Sequence, residues 1–584
     1  CLIEVFKKLY HHSPDIYVSN KAFIVYSNSK YATQLATENS FFVGRALHKK
    51  TFKPLSLGQF TSFEQRKINF FDEYWGNFII VSEQQNNFEI LIDASGQTEI
   101  YYLRLSSGDV IFSTEIATIK NVMQSKLSIN QQYLAEILLQ VDYGYNNTLY
   151  SEINKIPFGC ELRVSPQKCV INVGWDPQKY VNTNLADELN FSELLQHVLK
   201  SWIEPYDEIY LSFSGGLDST AILFCLMAEQ NVIKNKNFRA INYYVAGLKS
   251  SNELEYVTKI SNELKFHLQA LDLSSFVSFT PPALHSTHKL NNPSTRLMFW
   301  DHQEKVYKMS GINETALFIN GYGGDQVFMQ SPPLTSVVDA LFIQGLNCAA
   351  QSIEQLGFIN RTTIFNLLNK NTAALFKHIL GIKALKYYID SAEWVNTNFL
   401  NLAKQLIPHP ALTRLRLLPG KYEHVDSIFR GLGSLEPIFS KRYENIFSPF
   451  LTQPIIEWAL SVPSFKLYGS KVDRLPVRRS ISSTFNTASV WRLDKGSTTG
   501  QHLKGLQKNI DSILATCLNG FYVKSNLIDQ SLLKDNILRL ANGDIDFLWP
   551  FIRLYCAEIF LILLWVSLSG PLSERLFPLL SVIF

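Results

Sequence analysis

Up to about residue 180 the apolar residues come in short aromatic and β-branched runs with turns between them. Ala22-Phe-Ile-Val-Tyr26, Asn77-Phe-Ile-Ile-Val81, Phe88-Glu-Ile-Leu-Ile92 and Asp109-Val-Ile-Phe112 are the clearest. Such runs predict an antiparallel, layered sheet domain, with one helical pattern at Gln131–Gln140. Trp175-Asp-Pro-Gln-Lys-Tyr-Val-Asn-Thr-Asn184 then reads as a linker. Beyond it the period changes. Ile209, Leu211 and Phe213 alternate as a half-buried strand, and Thr220–Met227 continues as an apolar helix. Phe238–Ala246 reads as a strand, a helix starts near Asn252, and Ala316–Asn320 is a strand again. Strands alternating with helices predict a doubly wound parallel sheet. Residues 335–440 read as mostly helical, with no internal repeat. The expected architecture is α/β plus β-rich, with one domain over 1–180 and a second over 190–584.

The chain has 584 residues, 46% of them hydrophobic, enough to fill more than one core. A formal net charge of +3 is nearly balanced, so nothing in the composition asks for a nucleic acid or an anionic surface. Seven cysteines, spread out and free of C-x-x-C pairs, argue against a disulfide framework or a zinc site and fit a reducing cytoplasm. His11-His12 and His285/His288 have no convincing further ligands nearby. No signal-peptide pattern opens the chain. The run Ala557–Leu568 is too short for a bilayer, which needs about 20 residues, and reads as a buried helix. The apolar tail Arg575–Phe584 is expected to dock on the rest of the chain. An integral membrane protein is not expected.

The candidate chemistry lies in two glycine-rich turns. Ser214-Gly-Gly-Leu-Asp-Ser219 follows the first strand of the second half and opens a helix. Two glycines let backbone N–H groups close on a polyphosphate, and the helix start adds positive potential. Ser214 and Ser219 can donate, and Asp218 can hold magnesium between phosphates. No lysine follows the glycines, which excludes the G-x-x-x-x-G-K-[ST] loop that transfers the γ phosphate. The second turn, Gly321-Tyr-Gly-Gly-Asp-Gln-Val-Phe328, follows strand Ala316–Asn320 and carries Asp325. Ligands of open parallel sheets collect at the carboxyl ends of strands, so the turns can face each other and Asp218 and Asp325 can share magnesium. The plain alternative for either turn is a tight strand-to-helix connection without a ligand.

The first turn resembles the PP-loop of ATP pyrophosphatases, which split ATP between its α and β phosphates. With the second turn in the same order and spacing, the chain resembles the asparagine synthetase family. Trp75-Gly-Asn-Phe78, Asp93-Ala-Ser-Gly96, Phe112-Ser-Thr-Glu115 and Ile153–Gly159 are similar to that family's Ntn-type glutaminase domain, and Trp175-Asp-Pro177 to its linker. Ser448-Pro-Phe450 and Trp458–Pro463 are similar to its helical lobe. Only 74 residues precede Trp75 and no Asn-Gly-Glu loop occurs among them, so the glutaminase is expected to be degenerate, with Cys1 a relic or a plain buried residue. With ammonia supply lost, another amine must attack. Gly323-Gly324-Asp325 without a following glutamate, and Asp473-Arg-Leu-Pro-Val-Arg-Arg479, resemble the lasso peptide macrolactam synthetase branch.

That resemblance implies ATP and Mg2+ as cofactors and a leader-free precursor core peptide as substrate. Its Asp or Glu side chain would be adenylated and attacked by its own α-amine. ATP would lie on Phe213, Ser214, Gly215, Gly216, Asp218, Ser219, Ala246, Asn320 and Gly321, with Asp218 and Asp325 on the metal. Tyr322 is the candidate proton acceptor, with adenylate packing as its alternative. Lys495, in Trp491–Gln501, is the candidate for neutralising phosphorus and the oxyanion, with a solvated loop lysine as its alternative. Arg478, Arg479 and Lys471 are weaker candidates for phosphate or carboxylate contacts, and Glu253 and Glu255 are expected to be exposed charges. A leader peptidase and an export transporter are the implied partners, and no nucleic acid. The rival readings are an asparagine-synthetase-type amidotransferase on a small carboxylate and a nucleotide-binding scaffold without chemistry.

Overall fold

The computed structural model describes residues 15–18, 23–26, 33–66, 69–84, 87–123, 127–139, 146–229, 233–248, 252–280, 290–299, 305–306, 308–313, 315–381, 392–403, 408–434, 445–493, 496 and 499–568. Strands β1 (Asp15–Val18) and β2 (Phe23–Tyr26) form an antiparallel pair. Six strands form the main sheet of the first half: β3 (Thr33–Ala36), β4 (Ser40–His48), β5 (Tyr74–Gln84), β6 (Asn87–Ile92), β10 (Cys160–Val164) and β11 (Cys169–Val173). Their spatial order is β11-β10-β6-β5-β4-β3, antiparallel throughout. A smaller sheet, β8-β7-β9, is built from β7 (Tyr101–Arg104), β8 (Val110–Ser113) and β9 (Asn154–Lys155). Phe41, Val81, Ile90, Ile92 and Leu162 of the large sheet share one core with Tyr102, Val110 and Phe112 of the small one. This packing is the layered arrangement that the period-2 runs predict.

The second half holds a five-stranded parallel sheet of β12 (Glu208–Ser212), β13 (Asn237–Tyr244), β14 (Leu268–Asp272), β15 (Leu317–Ile319) and β16 (Ile446–Phe447), in the order β14-β13-β12-β15-β16. The chain winds outward from β12 in both directions, so the strand order reverses between β12 and β15. A reversal of this kind opens a crevice at the carboxyl ends of the two strands. The pattern of apolar residues marked β12, β13 and β15 but not β14 or β16. The five residues of β14 include Gln269 and Asp272, and β16 has only two residues, too few for any period to register. Helices Ser336–Gln344, Leu346–Ile359, Ile364–Ile379 and Pro419–Gly433 form the expected helical lobe.

The apolar core does not stop at residue 180. Trp75 of β5 stacks on Trp202 at 5.7 Å, and Trp202 stacks on Phe447 of β16 at 4.7 Å. Trp175, at the head of the segment that reads as a linker, is buried against Phe429 and donates to Glu457 (3.2 Å). A second core joins Leu134 and Leu138 of the Gln131–Leu139 helix to Phe551 and Tyr555 of the Leu548–Leu568 helix. The run Ala557–Leu568 belongs to that helix, and its first residues, through Phe560, are buried. Among the described residues no helix is long and apolar enough to cross a membrane. The six described cysteines are free. His11, His12, His285, His288 and the tail from Arg575 lie outside the described residues.

Glu136 gives this second core a pH dependence. Its carboxyl is buried, accepts from Asn147 (2.6 Å), and is pushed up to about 7 by burial. Because the folded state favours the protonated form, stability falls as pH rises from the ordinary value near 4.3 to about 7, and is flat above that. Glu136→Gln keeps an acceptor for Asn147 without the charge. Its melting temperature at pH 8 should exceed the wild type's, and the difference should shrink as pH falls toward the ordinary carboxylate value.

Candidate functional site

The two glycine-rich turns follow β12 and β15, adjacent strands in register from Ile209 opposite Leu317 to Leu211 opposite Ile319. Phe213 extends β12: its N–H donates to Ile241 O, and its carbonyl accepts from Asn242, both at 2.8 Å. Its side chain is buried in the core, so Phe213 reaches a ligand only through its backbone. In the turn, Gly215 has φ +77, a left-handed conformation that favours glycine. The Ser214 and Ser219 hydroxyls lie 3.2 Å apart, and Ser219 also donates to Gly216 O (3.2 Å). Leu217–Ala228 is the helix that follows, so the turn sits at its N-terminus as the sequence predicts.

The second turn presses directly on the first. A Cβ on Gly321 would lie 3.1 Å from the Asp218 Cβ, and one on Gly324 would lie 2.4 Å from Asp218 Oδ1. Absent side chains at these two positions let the Asp218 carboxylate sit against the Asp325 turn. Asn320 holds the turn by accepting from Tyr322 N–H (3.0 Å) and Ser448 Oγ (2.9 Å). Ala246 is exposed just beyond the carboxyl end of β13, its N–H bonded to Asp272 (3.1 Å).

A guanidinium links the two carboxylates. Arg474 Nη1 lies 3.1 and 2.9 Å from the Asp218 oxygens and 2.6 Å from Asp325 Oδ1. With its amide turned over, the Gln330 side-chain nitrogen would donate to both Asp325 oxygens at 3.1 and 3.2 Å. Burial works against the Arg474 charge, but Asp218, Asp473 and Asp325 outweigh it and hold its pKa above the ordinary value. Asp218 and Asp325 thus converge on one positive charge, with hard oxygen ligands of the type magnesium takes. Among the described residues no group of three or more His, Cys, Asp or Glu could hold a metal unaided. The two carboxylates are of the chemical type magnesium takes, and would hold it only together with further ligands.

Several expectations change. Arg478 is buried, and its guanidinium is spent on Val490 O, Arg492 O (3.1 Å), Asp473 O (2.9 Å) and Asp473 Oδ1 (2.7 Å), so it braces the chain instead of meeting a ligand. Arg474, four residues earlier in the same quoted segment, is the cation in the crevice. Lys471 lies over the Phe358 ring at 4.9 Å, and Arg479 is exposed. Glu255 is exposed as expected, but Glu253 is not. Its carboxylate accepts from Arg492 (2.9 Å) and Gly496 N–H (2.8 Å), and would lie 3.2 Å from a Cβ on Gly215. Glu253 therefore fastens residues on either side of position 495 beside the first turn. Its single sequence signal is an acid at the start of a helix, which is ordinary on an exposed surface. Lys495 and Cys1 lie outside the described residues.

Tyr322 is half-buried with its hydroxyl 2.6 Å from Ser434 Oγ, and Ser434 donates to Arg430 O (2.8 Å). With the serine proton so placed, the phenol donates to Ser434. An open cleft of about 480 Å³ runs from Asp325 along the helical lobe, lined by Gln330, Asn360, Lys370, Glu423 and Arg430. It is polar and carries both signs of charge.

Residues 65–175 match the glutamine amidotransferase domain family. The chain is 22% identical over 383 residues to the microcin J25-processing protein McjC of Escherichia coli, covering 63% of this chain and 66% of that protein. Among solved structures, the U34-tRNA thiolase NcsA from Methanococcus maripaludis with its [4Fe-4S] cluster aligns over 42% of this chain and 80% of that one, at 16% identity and a TM-score of 0.19. The allosteric regulatory enzyme of purine biosynthesis aligns over 40% and 54%, at 11% identity and a TM-score of 0.13. Scores that low carry no argument. The resemblance read from the motifs, to the asparagine synthetase family and its lasso peptide macrolactam synthetase branch, is thus shown by a glutamine amidotransferase domain in the first half and a microcin J25-processing relative along 63% of the chain.

Proposed function

We propose that this protein is an ATP-dependent macrolactam synthetase of lasso peptide biosynthesis. It would adenylate an Asp or Glu side chain of a leader-free core peptide and let the peptide's own α-amine displace AMP. One observation carries the reading: two glycine turns at the point where the strand order reverses bring Asp218 and Asp325 onto a single cation. A carboxylate oxygen attacks the α phosphorus, the bond to the β phosphate breaks, and pyrophosphate leaves. The amine nitrogen then attacks the acyl carbon, loses a proton, and AMP departs. Magnesium, held by Asp218 and Asp325, would neutralise phosphate charge. Ser214, Ser219 and the N–H groups around Gly215 and Gly216 would hold the phosphates, with Asn320 and Gly321 lining the far wall and Ala246 the base. Arg474, which bridges the two carboxylates, would supply positive charge for the released pyrophosphate.

An α-amine has a pKa near 7.7–8.0, so a usable neutral fraction exists near neutral pH. Folding the peptide so that amine meets acyl-adenylate makes the step intramolecular, worth up to about 7–11 kcal/mol. Tyr322, reacting as its phenolate, is the proposed proton acceptor, with the Ser434 hydroxyl turning to donate a hydrogen bond to it. Lys495 is the proposed partner of the oxyanion. The same reading assigns residues 1–180 to a degenerate amidotransferase-like domain and 190–584 to the synthetase. It places the protein in the cytoplasm beside a leader peptidase and an exporter.

Purified protein, Mg-ATP and the leader-free peptide should give a product lighter by one water, with AMP and pyrophosphate. Peptide-independent turnover alone would refute the reading. Tyr322→Phe should slow cyclisation about 100-fold while leaving ATP affinity unchanged. Unchanged cyclisation would remove Tyr322 from the mechanism. A second reading is favoured by the match over residues 65–175, namely a glutamine-dependent amidotransferase on a small carboxylate. Release of glutamate from glutamine would support it.

A further inference from the structure

The helical lobe exposes an apolar face that the chemistry above does not use. Helix Ile364–Ile379 buries only Leu367 and Asn371. Ile364, Phe365, Leu368, Phe376 and Ile379 are all exposed, Phe365 to 73%. At about 100° per residue these five fall within about 120° of arc, which begins about 20° from Asn371 and about 60° from Leu367. The face extends beyond this helix. Phe342, 55% exposed on the neighbouring Ser336–Gln344 helix, meets the ring of His378 at 6.0 Å. Contiguous apolar surface on this scale marks an interaction site.

The charge around it is one-sided. From Gln355 to Ile389 the sequence has no Asp or Glu and five Lys or Arg, in a chain whose overall charge is close to balanced. Three of the five, Arg361, Lys370 and Lys377, are described and exposed. A helix with aromatic and aliphatic residues on one side and lysines off it is built to lie in the interface of an anionic bilayer. The rings enter the acyl boundary and the cations stay among the phosphates. A second copy fits worse, because the same stretch on its partner supplies no Asp or Glu to pair with these cations.

We infer that this face docks the protein on an anionic lipid surface as a peripheral protein. Lys370, which lines the cleft at Asp325, lies on the far side of this helix from the apolar arc. The inference stands apart from the proposed catalysis.

The test is sedimentation of the full-length chain with vesicles of phosphatidylcholine alone, or with about 30% phosphatidylglycerol added. The wild type should partition onto the anionic vesicles, and less so as salt rises. Phe365→Glu with Phe376→Glu should lower that partition about 10-fold or more, and Lys377→Glu about 5-fold. Both sites are exposed, so melting temperature and pyrophosphate release without vesicles should stay at wild-type levels. Failure of wild type to bind anionic vesicles, or equal binding by wild type and double variant, would overturn the inference. So would a dimer that the double variant makes monomeric, or an acidic protein partner competed off by the same changes with no lipid binding. A chain that cyclises peptide but ignores vesicles would refute the docking alone.

Discussion

Asp218→Asn should cut peptide-dependent pyrophosphate release about 100- to 1,000-fold while leaving the fold intact. The amide keeps one oxygen for Arg474, so the resting contacts of the crevice change little. It cannot supply the negative charge that, with Asp325, would hold a cation against the phosphates. The environment of Asp218 makes the effect specific. Its carboxylate fits only because position 324 has no side chain, a Cβ there falling 2.4 Å from Oδ1. Gly324→Ala should therefore be about as damaging as the loss of charge, by pushing the carboxylate off Arg474 and out of line with Asp325. Both variants should melt within a few degrees of the wild type. An Asp218→Asn protein that keeps more than a tenth of its pyrophosphate release would sink the idea that the two turns grip the nucleotide.

The largest expected loss of stability comes from Lys49→Met. Lys49, just past β4, places its ammonium 2.6 and 2.7 Å from the two oxygens of Glu457 on the Gln453–Ser461 helix. Both side chains are mostly buried, and Trp175 and Gln453 donate to the same carboxylate. Burial pushes the Glu457 carboxyl up and the Lys49 ammonium down despite their attraction. Removing the lysine strands a buried carboxylate where the two halves of the chain meet, at a cost of about 3–5 kcal/mol. The remedy for Glu457 is to take up a proton, so the loss should be greater at pH 8 than at pH 5.5. Lys49→Met with Glu457→Gln should recover most of it, because a pair removed together leaves no charge unpaired. Denaturant unfolding of the wild type and the two variants at both pH values would check this. An equal loss at the two pH values would mean that the stranded charge is not its cause.

The first of these sites was far more legible than the second. Ser214-Gly-Gly-Leu-Asp-Ser219 and Gly321–Phe328 announce themselves because backbone that must approach a ligand or another turn is restricted to small residues, and that restriction is written locally. Strands β12, β13 and β15 were legible for a similar reason, each long enough or apolar enough to show a period. Arg474 was passed over in favour of Arg478 and Arg479, although all three lie in one short segment. Residue type does not distinguish them. What does is a backbone turn at φ +48 that aims Arg474 into the crevice, while Arg478 is turned inward against carbonyls. Glu253 was missed in the same way, since its partners Arg492 and Gly496 lie 239 and 243 residues away.

The amino-acid sequence by itself determined the elements and their chemistry: an antiparallel first half, a parallel sheet after it, two acidic glycine turns, and the absence of a phosphate-loop lysine. These follow from local physics, the side-chain period of strands and helices and the steric freedom of glycine. Only the tertiary structure decided that β12 and β15 are neighbours, that their turns share one guanidinium, and that the core runs unbroken from Trp75 through Trp202 to Phe447. It also decided which apolar helix face stays uncovered. Each of these is a pairing between residues far apart in the chain, fixed by which surfaces exclude water together, and no local pattern encodes it.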